Sequence, residues 1–230
     1  MNQTHDRLTA AYVRGASLRT GVPALDGALV KKPLDSLTPQ ECTALYEAGK
    51  KAELKMYRFK DHADMARVQK VLGFLRGVWP ESLLDVGSGR GVFLFPFLRA
   101  FPHTPVMAVD VLDYRVEFLN DIRLGGVETL TALRQDICHW DMPDKSFDVV
   151  TLLEVLEHIP DVESAVKAAV RLARRFVVLT VPSKPDDNPE HIHLLTKDVL
   201  TELFTRAGCA HLSFDGVNGH LFMAARLEEA

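Results

Sequence analysis

The stretch Leu83-Leu84-Asp85-Val86-Gly87-Ser88-Gly89-Arg90-Gly91 constrains this chain more than any other. It reads as a short apolar strand running into a glycine-rich turn and then into a helix over Val92 to Ala100. Glycine has no Cβ, so the turn can take backbone angles that other residues avoid, and a ligand can approach the main chain. A helix opening behind such a turn directs free N–H groups at that ligand. Nineteen residues past Gly91, the apolar run Val106-Met107-Ala108-Val109 closes on Asp110. A carboxylate there can accept both hydroxyls of a ribose. A glycine turn followed by an acid closing the next strand is the signature of a nucleoside-bearing ligand on a doubly wound sheet.

The rest of the chain fits that frame. From residue 79 onward, apolar runs and helical periodicity alternate, which predicts a parallel sheet. Strands are expected near 82–86, 105–110, 129–134, 147–153 and 176–182, and helices near 91–101, 113–124, 161–174 and 197–207. Thr196 reads as an N-cap and Gly208 as a C-terminal stop. Ala210–Phe214 and His220–Ala225, separated by Asp215-Gly216-Val217-Asn218-Gly219, read as a hairpin. Upstream, Thr38-Pro39-Gln40-Glu41 is a capping box with proline at the first helical position, opening a helix to about Met56. A second helix is expected over 62–77, with Met65, Val68, Val71, Leu72 and Leu75 on one face. Residues 1–35 are interrupted by Gly15, Gly21, Gly27, Pro23 and Pro33, and read as a loose arm with one short helix at most. The division expected is an N-terminal arm and helical lid over 1–78 and a ligand-binding domain over 79–230.

Composition sets outer bounds. The chain has 230 residues, 47% of them hydrophobic and 25% charged, as in an ordinary globular protein. No apolar run reaches membrane-spanning length. The first six residues lack a basic-then-apolar leader pattern, and Cys42, Cys138 and Cys209 are odd in number and widely spaced. Both features point to free thiols in the cytoplasm and no membrane partner. Residues 1–80 hold 13 Lys or Arg against 8 Asp or Glu, so the acidic excess lies in the remainder. The basic part is either an attractor for an anionic substrate or a solvated helical face. A net charge of −4 argues against a dedicated nucleic-acid binder.

The turn reads G-x-G-x-G with Asp85 two residues ahead of its first glycine, and departs from the dinucleotide fingerprint G-x-G-x-x-G. The acid at the strand end suits a ligand carrying an amino group rather than a pyrophosphate. In these residues the chain resembles the class I S-adenosylmethionine-dependent methyltransferases. Leu83–Gly91 resembles their first motif, Asp110 closes their second, and Arg134-Gln135-Asp136-Ile137 resembles the adenine-contacting segment. Residues 147–161, from Phe147 to Asp161, resemble the fourth motif and the segment directly after it. The resemblance implies an α/β doubly wound seven-stranded sheet of order 3-2-1-4-5-7-6, with the last strand antiparallel. It implies S-adenosyl-L-methionine as the methyl donor. Asp85, Gly87 and Gly89 would cradle its methionine end, Asp110 its ribose, and Asp136 and Ile137 its adenine. Ser88, Gly91 and Val111 would complete that lining. Leu153 and Glu154 would border the sulfonium and the acceptor.

The acceptor side holds two clusters, Glu154-Val155-Leu156-Glu157-His158 and Asp186-Asp187-Asn188-Pro189-Glu190-His191-Ile192-His193. His158, Glu154 and His193 are the candidate catalytic residues. The histidines can act as a general base, or they can brace loops. No metal is expected. The alternative is a divalent cation on Glu154, Glu157 and His158, which share one side if 154–158 begin a helix, joined by His191 or His193, of which His193 is the choice. That set partly resembles the small-RNA 3′-terminal 2′-O-methyltransferases, whose E-x-x-E-H and later histidine hold a metal. The segment past His193, Leu194-Leu195-Thr196-Lys197, departs from that family.

The function implied is methyl transfer to O or N of a small molecule. A metal-dependent ribose methyltransferase acting on RNA or a nucleotide, and a non-catalytic binding protein on the same fold, are the alternatives. A nicotinamide oxidoreductase is disfavoured by the glycine spacing.

Overall fold

The computed structural model describes residues 6–21, 27–59, 62–185 and 187–227. A seven-stranded sheet forms its centre, in the order β3-β2-β1-β4-β5-β7-β6. The strands are β1 (Leu83–Val86), β2 (Val106–Asp110), β3 (Leu130–Arg134), β4 (Phe147–Leu153), β5 (Ala173–Pro182), β6 (His211–Val217) and β7 (His220–Arg226). β7 runs antiparallel to both β5 and β6, and the other pairs are parallel. β1 and β4 are buried along nearly their whole length, as central parallel strands covered on both faces must be.

Helices cover the two faces. On one side lie α1 (Arg7–Thr20), α4 (Ala66–Val78), α5 (Leu94–Ala100) and α6 (Asp113–Leu124), in one apolar cluster with Phe59, Phe95, Phe97 and Phe118. On the other lie α7 (Val162–Leu172) and α8 (Lys197–Arg206), packed through Val166, Ala169, Leu200 and Phe204. The remaining helices are α2 (Gly27–Lys31) and α3 (Pro39–Lys51). Thr38 and Glu41 form the expected reciprocal cap of α3, with Thr38 N–H donating to Glu41 Oε2 at 2.8 Å.

The N-terminal arm is a correction. Far from loose, α1 runs for 14 residues and buries Leu8 through Ala16. Gly15 is a contact residue, not a breaker: a Cβ there would lie 1.7 Å from the carbonyl oxygen of Asp121 in α6. A Cβ on Gly125, just past α6, would likewise lie 1.7 Å from the carbonyl oxygen of Ala11. The two glycines let the backbones of α1 and α6 touch. Arg19 then grips the buried Asp121 with two hydrogen bonds of 2.7 and 2.9 Å. Asp6 caps α1 and pairs with Arg99 of α5 at 2.6 Å. Pro23 lies outside the described residues.

Two smaller differences have local causes. α3 stops at Lys51 rather than near Met56 because Glu53 takes the left-handed conformation (φ 58°). Glu53 N–H then donates to Lys50 O and Leu54 N–H to Gly49 O, a Schellman closure made without glycine. The hairpin turn is only Asn218-Gly219, both at positive φ, so Asp215–Val217 extend β6.

Candidate active site

A cavity of about 790 Å³ opens at the carboxyl ends of β1, β2 and β4, within the range of small-molecule sites. The sharp turn after β1 forms its floor. Gly87 (φ 64°) and Gly89 (φ 57°) occupy backbone space that L side chains rarely enter. A Cβ on Gly87 would lie 2.6 Å from Val155 Cγ2, whereas one on Gly89 would make only ordinary contacts, 3.6 Å to Gly87 O and 3.9 Å to Arg115. Gly91 serves packing instead: it lies outside the lining, and its Cβ would meet the Phe95 ring at 2.5 Å. Gly87→Val is therefore expected to weaken or abolish ligand binding. A β-branched side chain suffers at positive φ, and the added atoms displace Val155. Unchanged affinity for S-adenosylhomocysteine in a calorimeter would refute this.

Asp85 sits at the floor of the cavity, buried, with Oδ1 accepting from Thr151 Oγ1 at 2.8 Å. Burial raises its carboxyl to about 6, against the hydrogen bonds of Ser88 and Thr151 that lower it, and nearby Asp110 adds to the rise. Because the folded carboxyl holds its proton more tightly than the unfolded one, its contribution is full below about pH 4. That contribution is lost as pH rises through about 6. At neutral pH Asp85→Asn is expected to raise unfolding stability by up to about 3 kcal/mol, measured by urea titration. An unchanged midpoint would mean the charge is already compensated.

Asp110 closes β2, buried, with Oδ2 accepting from Gly89 N–H (3.0 Å) and from Arg115 of α6 (3.1 Å). Its Oδ1 accepts from Leu112 N–H at 3.0 Å. The exposed Val111 and the buried Ile137 add apolar surface to the lining. Asp136 lines the cavity and also caps the turn Ile137–His139, accepting from Cys138 N–H at 2.9 Å. Ser88 and Leu153 are in the lining too. Cys138 is no nucleophile, since burial and the adjacent Asp136 push its thiol up to about 11. Cys42, Cys138 and Cys209 are all free. Asp148, inside the fourth motif, faces away at the foot of β4 and pairs with Arg175, so it is structural.

The acceptor end departs from expectation. Residues 154–158 do not begin an α-helix: Glu154 is left-handed (φ 56°), and only Leu156–His158 form one 3₁₀ turn. Glu154 lines the cavity, but its partner is His220 of β7, with Nδ1 2.9 Å from Oε2. It therefore leaves the proposed ligand set. His193 is neither in the lining nor with the others, because its Nε2 lies 3.0 Å from the carbonyl of Ile159. His158 does line the cavity, its Nδ1 2.9 Å from Glu190 O and its ring edge-on to His191. The group that does gather is Glu157, His158 and His191, whose ligand atoms lie within 4.8 Å of one another and could hold a cation. His191 thus takes the place assigned to His193. Tyr57, Arg58 and Phe59 are outside the lining, and Arg58 stacks on Tyr114 and Phe118. Lys60 and Asp186 lie outside the described residues.

Sequence reasoning missed Arg115 and His220. Arg115 was within reach, since it opens the helix that follows Asp110. His220 lies in no motif and arrives only through the reversed direction of β7.

A sheet of this order, with a glycine turn and a strand-end acid flanking one cavity, defines a nucleoside-ligand site at the carboxyl edge of the strands. The chain belongs to the class I S-adenosylmethionine-dependent methyltransferases, its residues 57–213 matching a family model described as a methyltransferase domain. The ubiquinone biosynthesis O-methyltransferase of Photorhabdus laumondii is 31% identical over 114 residues, which are 47% of this chain and 45% of that protein. The chain thus spans a little under half the length of the curated relatives it matches. Among solved structures, the fold is shared with magnesium protoporphyrin IX methyltransferase from Synechocystis with bound S-adenosylhomocysteine. That match has a TM-score of 0.55 and 15% identity, over 70% of this chain and 82% of that one. It is also shared with the methyltransferase domain of a bacterial CtHen1, with a TM-score of 0.58 and 17% identity, over 70% of this chain and 98% of that one.

The site residues fit S-adenosylmethionine. The buried acid Asp85 beside the glycine turn suits an ammonium group, the buried Asp110 a ribose and the apolar surface at Ile137 an adenine. Among the described residues, no helix is long and apolar enough to cross a membrane.

Proposed function

We propose that this chain is an S-adenosylmethionine-dependent O-methyltransferase acting on a small hydroxyl-bearing molecule in the cytoplasm. The observation that carries this is the single cavity wall joining the Gly87–Gly89 turn, Asp110 and Glu154. The donor supplies a methyl group already activated on a sulfonium, so the protein mainly orients and desolvates. Asp85 takes the ammonium, Asp110 the ribose hydroxyls, and Asp136 with Ile137 the adenine. The acceptor lies by Leu153, Glu154 and His158, where a carboxylate and an imidazole can hold its hydroxyl. Of the region 1–78 expected as arm and lid, α4 serves as the lid, with Arg67 and Val68 in the cavity wall. The O-methyltransferase relatives support an oxygen acceptor over nitrogen, and the small volume supports a small molecule over a nucleic acid.

Incubation of cell extract with isotope-labelled donor and identification of the labelled product tests the reading. Tight donor binding with no turnover on any extract would overturn it in favour of a non-catalytic binder. The role of Asp85 has its own test. Because its carboxyl is raised to about 6, donor affinity is expected to fall as pH drops from neutral to 5, and to lose that slope in Asp85→Asn. Wild-type affinity independent of pH, measured by calorimetry with S-adenosylhomocysteine, would place the ammonium elsewhere.

A further inference from the structure

Arg115 is the third residue of α6, the helix that follows Asp110 after a short turn. Helical side chains lean toward the N-terminus, so the guanidinium is carried back over the end of β2. Its Nη1 donates to Asp110 Oδ2 at 3.1 Å. It also stands beside the glycine turn, where a Cβ built on Gly89 would lie 3.9 Å from that same Nη1. Arg115 and Asp110 both line the cavity, but the arginine side chain is 30% exposed and the aspartate only 2%. Of this ion pair, the guanidinium is the part left open.

Counting acceptor positions shows why this matters. An ionised carboxylate offers about four, two on each oxygen. In Asp110 three are taken: Oδ2 accepts from Gly89 N–H at 3.0 Å and from Arg115, and Oδ1 accepts from Leu112 N–H at 3.0 Å. One position is left, on Oδ1. A ribose brings two neighbouring hydroxyls, so Asp110 cannot accept both while its internal donors stay in place. Two of those donors are main-chain groups, of the glycine turn and of the start of α6, and neither can swing away as a side chain can. The second hydroxyl needs another partner. The guanidinium adjoins it with five N–H donors, of which Asp110 takes one. We propose that Arg115 binds the ribose of the methyl donor: Asp110 Oδ1 accepts one hydroxyl, and the guanidinium donates to the oxygen of the other. This rests on the reading that seats the ribose at Asp110, and it names the second group that holds it.

The test is calorimetry on the whole protein with three probes: S-adenosylhomocysteine, its 2′-deoxy analogue and its 3′-deoxy analogue. Wild type is expected to bind each analogue about tenfold more weakly than the parent compound. Arg115→Met is expected to weaken the parent about tenfold and to erase the penalty for one analogue only, the one lacking the hydroxyl that Arg115 meets. The penalty for the other analogue is expected to remain, because Asp110 still accepts that hydroxyl. Arg115→Lys, which keeps a cationic donor, is expected to restore part of the affinity, and near-ultraviolet circular dichroism reports that both variants are folded. Unchanged affinity for the parent in Arg115→Met overturns the proposal. So does a loss that leaves both penalties intact, which would make Arg115 a brace for the turn. Erasure of both penalties overturns it too, because Arg115 would then act only by holding Asp110. A wild type that penalises one analogue alone leaves no second hydroxyl for Arg115 and is equally fatal. A wild type that binds the parent but penalises neither analogue places the ribose elsewhere. That outcome sinks the reading beneath the proposal, and the proposal falls with it.

Discussion

Gly15→Leu is expected to cost about 3–5 kcal/mol of stability, enough to leave much of the protein without its native packing. A single added carbon would already stand 1.7 Å from the Asp121 carbonyl oxygen, and backbone cannot rotate out of the way as a side chain can. The helices α1 and α6 would have to separate. That would stretch the paired bonds of Arg19 to Asp121 and open the aromatic contacts of Tyr12 with Phe59 and Phe118. Helix propensity pulls the other way, because replacing a mid-helix glycine gains about 0.5–1 kcal/mol. The steric cost is several times larger and wins. Gly125→Ala tests the same contact from the far side without a backbone complication, since Gly125 has a negative φ of −76°. Urea unfolding and near-ultraviolet circular dichroism measure both. Midpoints equal to the wild type would mean that the two helices do not meet this closely.

Asp110→Ala is expected to weaken donor affinity by about 2–3 kcal/mol, or roughly 30- to 150-fold. One part is the loss of the acceptor proposed for the ribose hydroxyls. The other is internal: the carboxylate ties Gly89 N–H, Leu112 N–H and Arg115 together, so its removal loosens the glycine turn and leaves Arg115 unpaired. Asp110→Asn separates the two. It preserves shape and one acceptor oxygen but loses the charge that Arg115 answers, and an intermediate loss is expected. Calorimetry with S-adenosylhomocysteine decides; unchanged affinity in Asp110→Ala would place the ribose acid elsewhere.

The sheet was readable because each strand is announced locally: Leu83–Val86 and Val106–Asp110 are apolar runs bounded by turn residues, and the glycines come next in sequence. Part of the cavity lining was readable for the same reason, since Asp110 ends β2, Asp85 lies one residue before the end of β1 and Asp136 two residues past β3. The arm was misread because glycine serves two ends. Gly15 weakens a helix on its own but lets it pack closely, and only the presence of α6 tells which applies. The end of α3 was invisible because glutamate, not glycine, takes the left-handed position. The acceptor end failed for a third reason. Glu154 departs from the helical conformation that its spacing to Glu157 and His158 suggests, and its partner His220 lies 66 residues away, reached only by strand order.

The contact between Arg19 and Asp121 joins residues 102 positions apart. During synthesis α1 emerges well before α6, and its docking groove is incomplete until residue 125 has left the ribosome. The segment from Leu8 to Ala16, buried in the folded protein, must therefore wait in water while more than a hundred further residues are added. Distant pairings of this kind slow folding and prolong the interval in which a nascent chain can stick to others. Docking of α1 is thus set by the synthesis of α6 rather than by α1 itself.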